Sequence, residues 1–437
     1  MSAEICLRPD SRGHIDGYFR CPVADGWNYV EDGMFDCNTH YGQCLCPRLS
    51  ADPDIAGPGV ILAFMVTAGL TVIATGLCLM LSRVSVERVE VEQADGSKEL
   101  VDSSSINPID KYFRWAISDR VQKRLKHPDL WANCLYDLVM SLSDQQLVTG
   151  FAILVSGLIG LGNGSITIYH FTTVTELVWF SSNTHLLSLL VVHSYAGSVK
   201  YFSPERDDPK RQYLSRQVIN WIRITLMSLM AILLLFGSWV SAYENWNSEY
   251  NCPAKCTLGL ARGGKPLMWM RVDFFYVFYN YVPSILDLIR PFRLWWIDRF
   301  RWYCIDSRGQ PTDKSHTSFW DMPPRALRYV GIVFRVFWYI LASETVSFLE
   351  MVYWFTSGVI SIFDTQQFGH SIMKNPDDEK KLGFGQLVPV FLLVIQIMQF
   401  SDSYAKNSWR VKKREESRPR NVRVRRVAAD TAYYRLE

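Results

Sequence analysis

The sequence has no H-E-x-x-H, no G-x-x-x-x-G-K-[ST], no G-x-S-x-G and no dinucleotide-type glycine fingerprint in a suitable context. The metalloprotease, phosphate-cradle, nucleophile-elbow and nicotinamide chemistries served by those spacings therefore have no foothold. No catalytic residue, metal ligand or cofactor is assigned. Charge is sparse too: 20% of the 437 residues are charged and the net charge is +3, too small to name a partner. No internal repeat relates one part of the chain to another, which weakens the large class of transporters built from repeated halves. No secretory signal peptide is expected, because residues 1–56 are hydrophilic, bear cysteines and lack an apolar core.

What the chain does have is apolar residues gathered into long runs, with 49% hydrophobic and 14% aromatic residues overall. Gly57 to Leu81 is the cleanest run, uncharged throughout and long enough for a bilayer core of about 30 Å. Six more runs follow, so spans are expected at about 57–82, 147–162, 171–196, 217–243, 272–290, 327–363 and 386–403. The fold class this predicts is an all-α membrane protein. A small cysteine-rich extracellular segment (1–56) precedes a seven-helix transmembrane domain (57–403) and a basic cytosolic tail (404–437). Ser143 and Gln146 read as a capping box that starts the second span. Ala152, Ser156, Gly160 and Gly164 form a small-residue ridge suited to close helix contact. The short Gly162–Ser165 turn makes the second and third spans an antiparallel hairpin. Residues 110–140 mix basic and aromatic side chains and read either as a membrane-surface segment or as a small helical pack between spans, and 290–326 reads as an interfacial collar; neither needs a nucleic-acid reading.

Positive charge assigns the sides. With seven crossings, 83–146, 197–216, 290–326 and 404–437 hold 32 Lys and Arg in 155 residues, against 10 in 116 for the opposite set. The richer set belongs in the cytosol. Of ten cysteines, Cys6, Cys21, Cys37, Cys44, Cys46, Cys252 and Cys256 then fall outside, where disulfides persist. The expected location is the plasma membrane or another membrane of the secretory pathway, with the amino terminus outside. Expected partners are membrane lipids, with the basic tail meeting anionic lipid or a cytosolic protein. No nucleic acid is expected, and the oligomeric state is not indicated.

The third span is the unusual one. Ser181, Ser182, Asn183, Thr184 and His185 are consecutive and polar at its middle, and at about 100° per residue they cover every face of a helix. Such a helix cannot face lipid, so it must stand inside a bundle or line a wet cavity. The candidate ligand or polar-core residues are Glu176, Ser181, Ser182, Asn183, His185 and Glu344, the last placed nearer the middle of the sixth span. Hydrogen-bonded packing between helices explains the same residues without a ligand. Arg223 and Arg335 are expected to reach the interface, and Gln396 and Gln399 to bond between helices.

The stretches SLSDQQLVTG (Ser141 to Gly150) and YHFTTVTELVWFSSNTHLLSL (Tyr169 to Leu189) resemble a group of multi-pass membrane proteins of filamentous fungi. The resemblance implies a fungal membrane protein with an outer cysteine-bearing tail, and it implies no activity, cofactor or catalytic residue. Seven helices with an outer amino terminus suggest a receptor-like or sensor role. However, the familiar receptor signatures Asp/Glu-Arg-Tyr and Asn-Pro-x-x-Tyr are absent from the third and seventh spans. A transporter or channel using the same polar centre is the alternative, and a structural protein without a ligand is a third.

Overall fold

Proline opens most of the helices. Pro53, Pro58, Pro108, Pro128, Pro209 and Pro376 each stand at the first position of one, where a missing N–H costs nothing and φ is already set. The computed structural model describes residues 5–9, 15–20, 46, 49–81, 88–92, 98–102, 108–113, 116–117, 119–195, 209–288, 336, 340–341, 343–381 and 383–416. In chain order these contain β1 (Ile5–Pro9), β2 (Ile15–Arg20), α1 (Pro53–Ala56), α2 (Pro58–Leu81), β3 (Arg88–Glu92), β4 (Lys98–Asp102), α3 (Pro108–Phe113) and α4 (Asp119–Arg124). Then come α5 (Pro128–Asn163), α6 (Ile168–Tyr195), α7 (Pro209–Val240), α8 (Gly264–Leu288), α9 (Glu344–Ile372), α10 (Pro376–Glu379) and α11 (Phe384–Glu416). The strands form two separate antiparallel hairpins, β1–β2 and β3–β4. Everything else of size is helical.

Among the described residues, five helical segments are long and apolar enough to cross a membrane: Pro53–Leu81, Pro128–Asn163, Trp221–Val240, Glu344–Ile372 and Gly385–Lys413. The long helices α6 and α8 do not meet that standard on composition. For α6 the reason is its polar middle, and the chain hides it: α6 packs against α2, α5, α7, α8 and α9, and Phe180 through Ser188 are all buried.

Two ends of the bundle can be told apart by what meets there. At one end the α5–α6 turn, the α7–α8 connection, residues 46 and 49–56, and residues 373–381 and 383 come together. Ile168 N–H donates to Cys252 O (2.8 Å), Ala254 N–H to Ile166 O (2.9 Å) and Lys374 N–H to Leu49 O (3.1 Å). Cys46 and Cys252 form a disulfide. At the other end Ser403 donates to Asp137 (2.6 Å), and Asp110 caps α9 by accepting from Ser343 Oγ and the Thr345 N–H.

Several boundaries differ from the sequence reading. Ser143 and Gln146 do not start a helix: α5 begins at Pro128 and runs unbroken, so both are interior, and residues 128–140 belong to the same helix. Leu130, Cys134, Leu135, Val139 and Leu142 are buried there, and this packing outweighs the local capping signal. Of the sixth span expected over 327–363, residues 344–363 belong to α9, which opens behind its N-cap Ser343 and continues to Ile372, and most of 327–342 lies outside the described residues. α8 begins at Gly264, earlier than the expected 272, which puts Asp273 inside it, where Ser238 Oγ donates to the carboxylate at 2.9 Å. α11 continues to Glu416, so the start of the basic tail is helical.

The α5–α6 turn does end as its glycines suggest. Gly164 caps α5 with φ +77°, a left-handed conformation that favours glycine, and its N–H bonds back to Leu161 O. The expected small-residue ridge is not the contact: Ala152 and Ser156 are exposed, while Gly150, Leu154 and Gly157 are buried. Gly157 meets Val174 and Gly150 meets Ser181, which is what lets the two backbones approach.

Candidate functional site

The five polar residues of α6 point five ways because each turns about 100° from the last. Ser181 Oγ donates to Gln146 Oε1 on α5 (2.8 Å), and Gln146 Nε2 passes a bond to Phe64 O on α2 (3.3 Å). Ser182 Oγ accepts from Tyr281 on α8 (2.8 Å). Asn183 Oδ1 accepts from Tyr276 on α8 (2.6 Å), whose oxygen also lies 3.4 Å from Met351 Sδ on α9. Thr184 returns its hydroxyl to Phe180 O on its own helix (3.0 Å). His185 Nδ1 lies 2.8 Å from Ser143 Oγ on α5. One short run thus ties its helix directly to α5 and α8 and, through Gln146 and Tyr276, to α2 and α9.

Hydrogen accounting fixes the histidine's tautomer. Ser188 Oγ donates to His185 O (2.8 Å), and Ser143 Oγ donates to Ser188 Oγ (2.9 Å). Each hydroxyl has one proton, so the bond between Ser143 and His185 must be donated by Nδ1–H. Nε2 is left as a bare acceptor, and it is buried without a partner. Asn183 Nδ2 and Glu176 Oε2 are buried without partners as well. Such groups cost roughly 1–3 kcal/mol each when left unpaired. The centre is therefore closed but not fully satisfied.

Glu176 lies between α6 and α9, where its Oε1 accepts from Ser361 (2.6 Å) and Thr365 (2.9 Å). Beside Asn183, Trp179, Tyr276 and Trp354 make a ring cluster, with centroids 4.7 Å apart for Trp179–Tyr276 and 5.0 Å for Tyr276–Trp354. Glu344 is not part of this centre. It is the first residue of α9, its backbone N–H donates to Asp110, and it borders a small space of ≈ 20 Å³ near Gly76 and Phe348. The guanidinium of Arg223 grips Asp144 with two bonds, 2.8 and 2.5 Å. Arg335 and the collar 290–326 lie outside the described residues.

Of the disulfide candidates, Cys46 pairs with Cys252, and Cys256 is also disulfide-bonded. Cys21, Cys37 and Cys44 lie outside the described residues, and Cys6 is described only as a residue of β1.

A groove of ≈ 580 Å³ runs between α5 and α11, lined by Asp137, Ser141, Asp144 and Gln145 on α5 and by Gln396 and Gln399 on α11. Gln396 Nε2 donates to Gln145 Oε1 (2.6 Å), and Ser141 Oγ lies against the Oε1 atoms of Gln396 and Gln399. Over residues 141–150, α5 thus shows the groove one face and the polar centre the other.

Four residues that the sequence reading passed over gather at the disulfide end. They are Tyr169 and His170 on α6, His370 on α9 and Glu379, whose side chain is 1% exposed. Their shared feature in sequence is small: two histidines and one glutamate in segments that flank apolar runs.

Among known proteins, an elsinochromes biosynthesis cluster protein, HP3, of Elsinoe fawcettii is 28% identical to this chain over 171 residues, 39% of this chain and 55% of that protein. The chain thus spans about half the length of that relative, and the similarity fits a fungal family. No protein-family model matches the chain. No solved structure matches it either.

Proposed function

We propose that this is a seven-crossing membrane protein with a receptor-like or sensor role, in which α6 is the central crossing and the disulfide end faces outside. The reading rests on one observation: α5 carries the polar groove on one face and the α6 polar centre on the other. A molecule seated in the groove would press on the same three turns of α5 that hold Ser181 and His185. The unpaired Nε2 of His185 and Nδ2 of Asn183 make the closed arrangement costly, which leaves room for a second arrangement of comparable free energy.

The crossing count is supported by the chain's own contacts. Four segments meet at one end, and they are the four that an alternating path of seven helices from an outer start would place there. The lower density of Lys and Arg in those segments and the disulfide both suit the outer side. The helical start of the basic tail, with Lys406, Arg410, Lys412 and Lys413, then projects into the cytosol, suited to anionic lipid.

The groove combines carboxylates and amides with Val148, Leu392 and Ile395. Its ligand is accordingly an amphiphilic small molecule that partitions into the bilayer and presents hydrogen-bond donors. Kinship with a protein of a secondary-metabolite cluster makes the products of such clusters the ligands to try first. The test uses the full chain in nanodiscs, titrated with elsinochromes, while the fluorescence of the Trp179–Trp354 cluster is followed. Saturable quenching that Gln145→Leu weakens at least tenfold supports the sensor reading. Absence of saturable binding refutes it for this ligand class.

A transporter reading draws on a different observation, the vertical spacing of Glu176, Asn183 and His185 along one helix, each with an unpaired buried atom. Accumulation of the probe inside sealed vesicles, lost in His185→Ala, would favour that reading over the sensor.

A further inference from the structure

Glu379 ends the four-residue helix α10 in the connection between α9 and α11, and it is almost wholly withdrawn from solvent. A carboxylate hidden that well needs partners. Its Oε2 accepts from Tyr169 OH (3.1 Å) and lies 2.7 Å from His370 Nε2. Gln366 Nε2 supports the same tyrosine oxygen at 2.9 Å and reaches Ala56 O at 3.2 Å.

Oε1 has no hydrogen bond, and neither has His170 Nε2; the two atoms are buried and face each other at 3.8 Å. Each is therefore the natural partner of the other, held just beyond bonding distance. Thr167 Oγ1, 2.8 Å from His170 Nδ1, holds the ring in that orientation.

We propose that this cluster is a proton-operated clasp that fastens the 373–383 connection to the outer ends of α6 and α9. With the imidazole of His170 neutral, the gap to Glu379 is bridged weakly. A proton on the ring makes it a cation beside a carboxylate in a site sheltered from water, and the pair draws together. His370 adds a second charge on the same carboxylate when it too takes a proton.

The surrounding groups leave the carboxylate to these two rings. On its own segment, Lys380 pairs with Asp377 (2.9 Å) and Lys381 with Asp378 (2.7 Å), all at the surface. From α6 come Tyr169, His170 and, two turns along, Glu176; from α9 come Gln366 and His370; and Tyr250 of the α7–α8 connection lies against Tyr169. None of the described groups facing Glu379 is a lysine or arginine that would keep it paired at every pH.

The sign follows directly. Histidine gains its charge as pH falls through the range of about 8 to 5. The clasp therefore tightens in acid and slackens toward alkaline pH, whatever the groove between α5 and α11 binds.

The test is amide hydrogen exchange of the 373–383 peptide in the full chain in nanodiscs, expressed as protection relative to the chemical rate at each pH. Between pH 8 and pH 5.5 protection is expected to rise by about tenfold. His170→Gln should flatten most of that rise, and Lys381→Gln should leave it intact. Should His170→Gln fail to assemble, His370→Gln, at a site one-third exposed, reads the same charge. A flat wild-type profile overturns the proposal. So does a full rise retained in both histidine variants.

Discussion

Gly150 of α5 lies directly against Ser181 of α6: a Cβ built on this glycine would come within 2.2 Å of the serine Oγ. That contact is the point where the two helices of the hairpin come close enough for Ser181 to reach Gln146, one turn away. Gly150→Ala must either push α6 outward or turn Ser181 off its acceptor. Overpacking of this kind costs about 1–3 kcal/mol. A lower Tm of the detergent-purified protein is expected, read by loss of monodisperse material on heating. Gly162→Ala is the matched control, since nothing lies within 4 Å of its Cβ position. Equal Tm for the two variants would mean that the hairpin is not packed this way.

Asn183 keeps only one of its bonds, from Tyr276, because its Nδ2 is already unpaired. Tyr276→Phe removes that bond and leaves a whole buried amide unsatisfied, which costs roughly 1–3 kcal/mol. Asn183→Leu alone strands the tyrosine hydroxyl, for which Met351 Sδ at 3.4 Å is a weak substitute. Combining the two changes leaves nothing polar to satisfy. The double variant is therefore expected to be more stable than the sum of the singles predicts, measured as a double-mutant cycle. Strict additivity would show that the hydroxyl and the amide do not meet.

These two pairs mark what was legible in the sequence. That α6 must be enclosed follows from its polar run alone, because period and solvent settle the matter. Which helix receives each side chain does not follow, since Gln146, Tyr276, Tyr281 and Ser143 are separated from their partners by 35 to 99 positions. Ser143 and Gln146 show why a local rule failed: the spacing of a capping box is also the spacing of two neighbours on one helix face. The ridge from Ala152 to Gly164 failed for a related reason, since small residues at every fourth position mark a face without saying whether lipid or protein covers it. The Glu379 clasp was illegible because it joins three segments, far apart in the chain, through one or two residues each.

Asp144 and Arg223 join α5 to α7 through two bonds, with the arginine 29% and the aspartate 49% exposed. Exposure of that order limits the pair to about 1 kcal/mol, at the upper end for surface pairs because the contact is bidentate. Arg223→Lys cannot reproduce the fork and should lose most of it. Exchanging the two residues, Asp144→Arg with Arg223→Asp, should recover at least half. A recovered Tm in the exchanged protein identifies a true pair, whereas equal losses in all three variants would identify packing of the arginine stem instead.

The disulfide between Cys46 and Cys252 spans a separation of 206 residues, and Asn251 Nδ2 donates to Cys46 O (3.1 Å) beside it. Closing so long a loop predicts a stabilisation of slightly more than about 5 kcal/mol in the chain-entropy picture, of which measured cases often deliver less. Cys46→Ser with Cys252→Ser should lower Tm while leaving the helical content unchanged. The same bond tests the sidedness of the protein: a membrane-impermeant reductant added to intact cells should reach it. Reduction only after the membrane is opened would place this end inside.

Tyr250 lies in the α7–α8 connection with its ring against Phe368 (5.1 Å) and Tyr169 (6.3 Å). Burial first, and then the negative charge of Glu176, raise its phenol above the ordinary tyrosine range. A raised folded-state value favours the neutral form in the fold, so nothing is lost while both states are neutral. Once pH passes about 10 the unfolded chain releases its proton and the folded one does not, and stability falls by up to about 1.4 kcal/mol per pH unit for this one group. Tyr250→Phe removes that slope at the cost of the hydroxyl's bond to Thr365. The variant is therefore expected to be slightly less stable at pH 8 but to lose less on going to pH 11, so that the two Tm curves converge. Parallel curves would mean that this phenol ionises as easily in the fold as outside it.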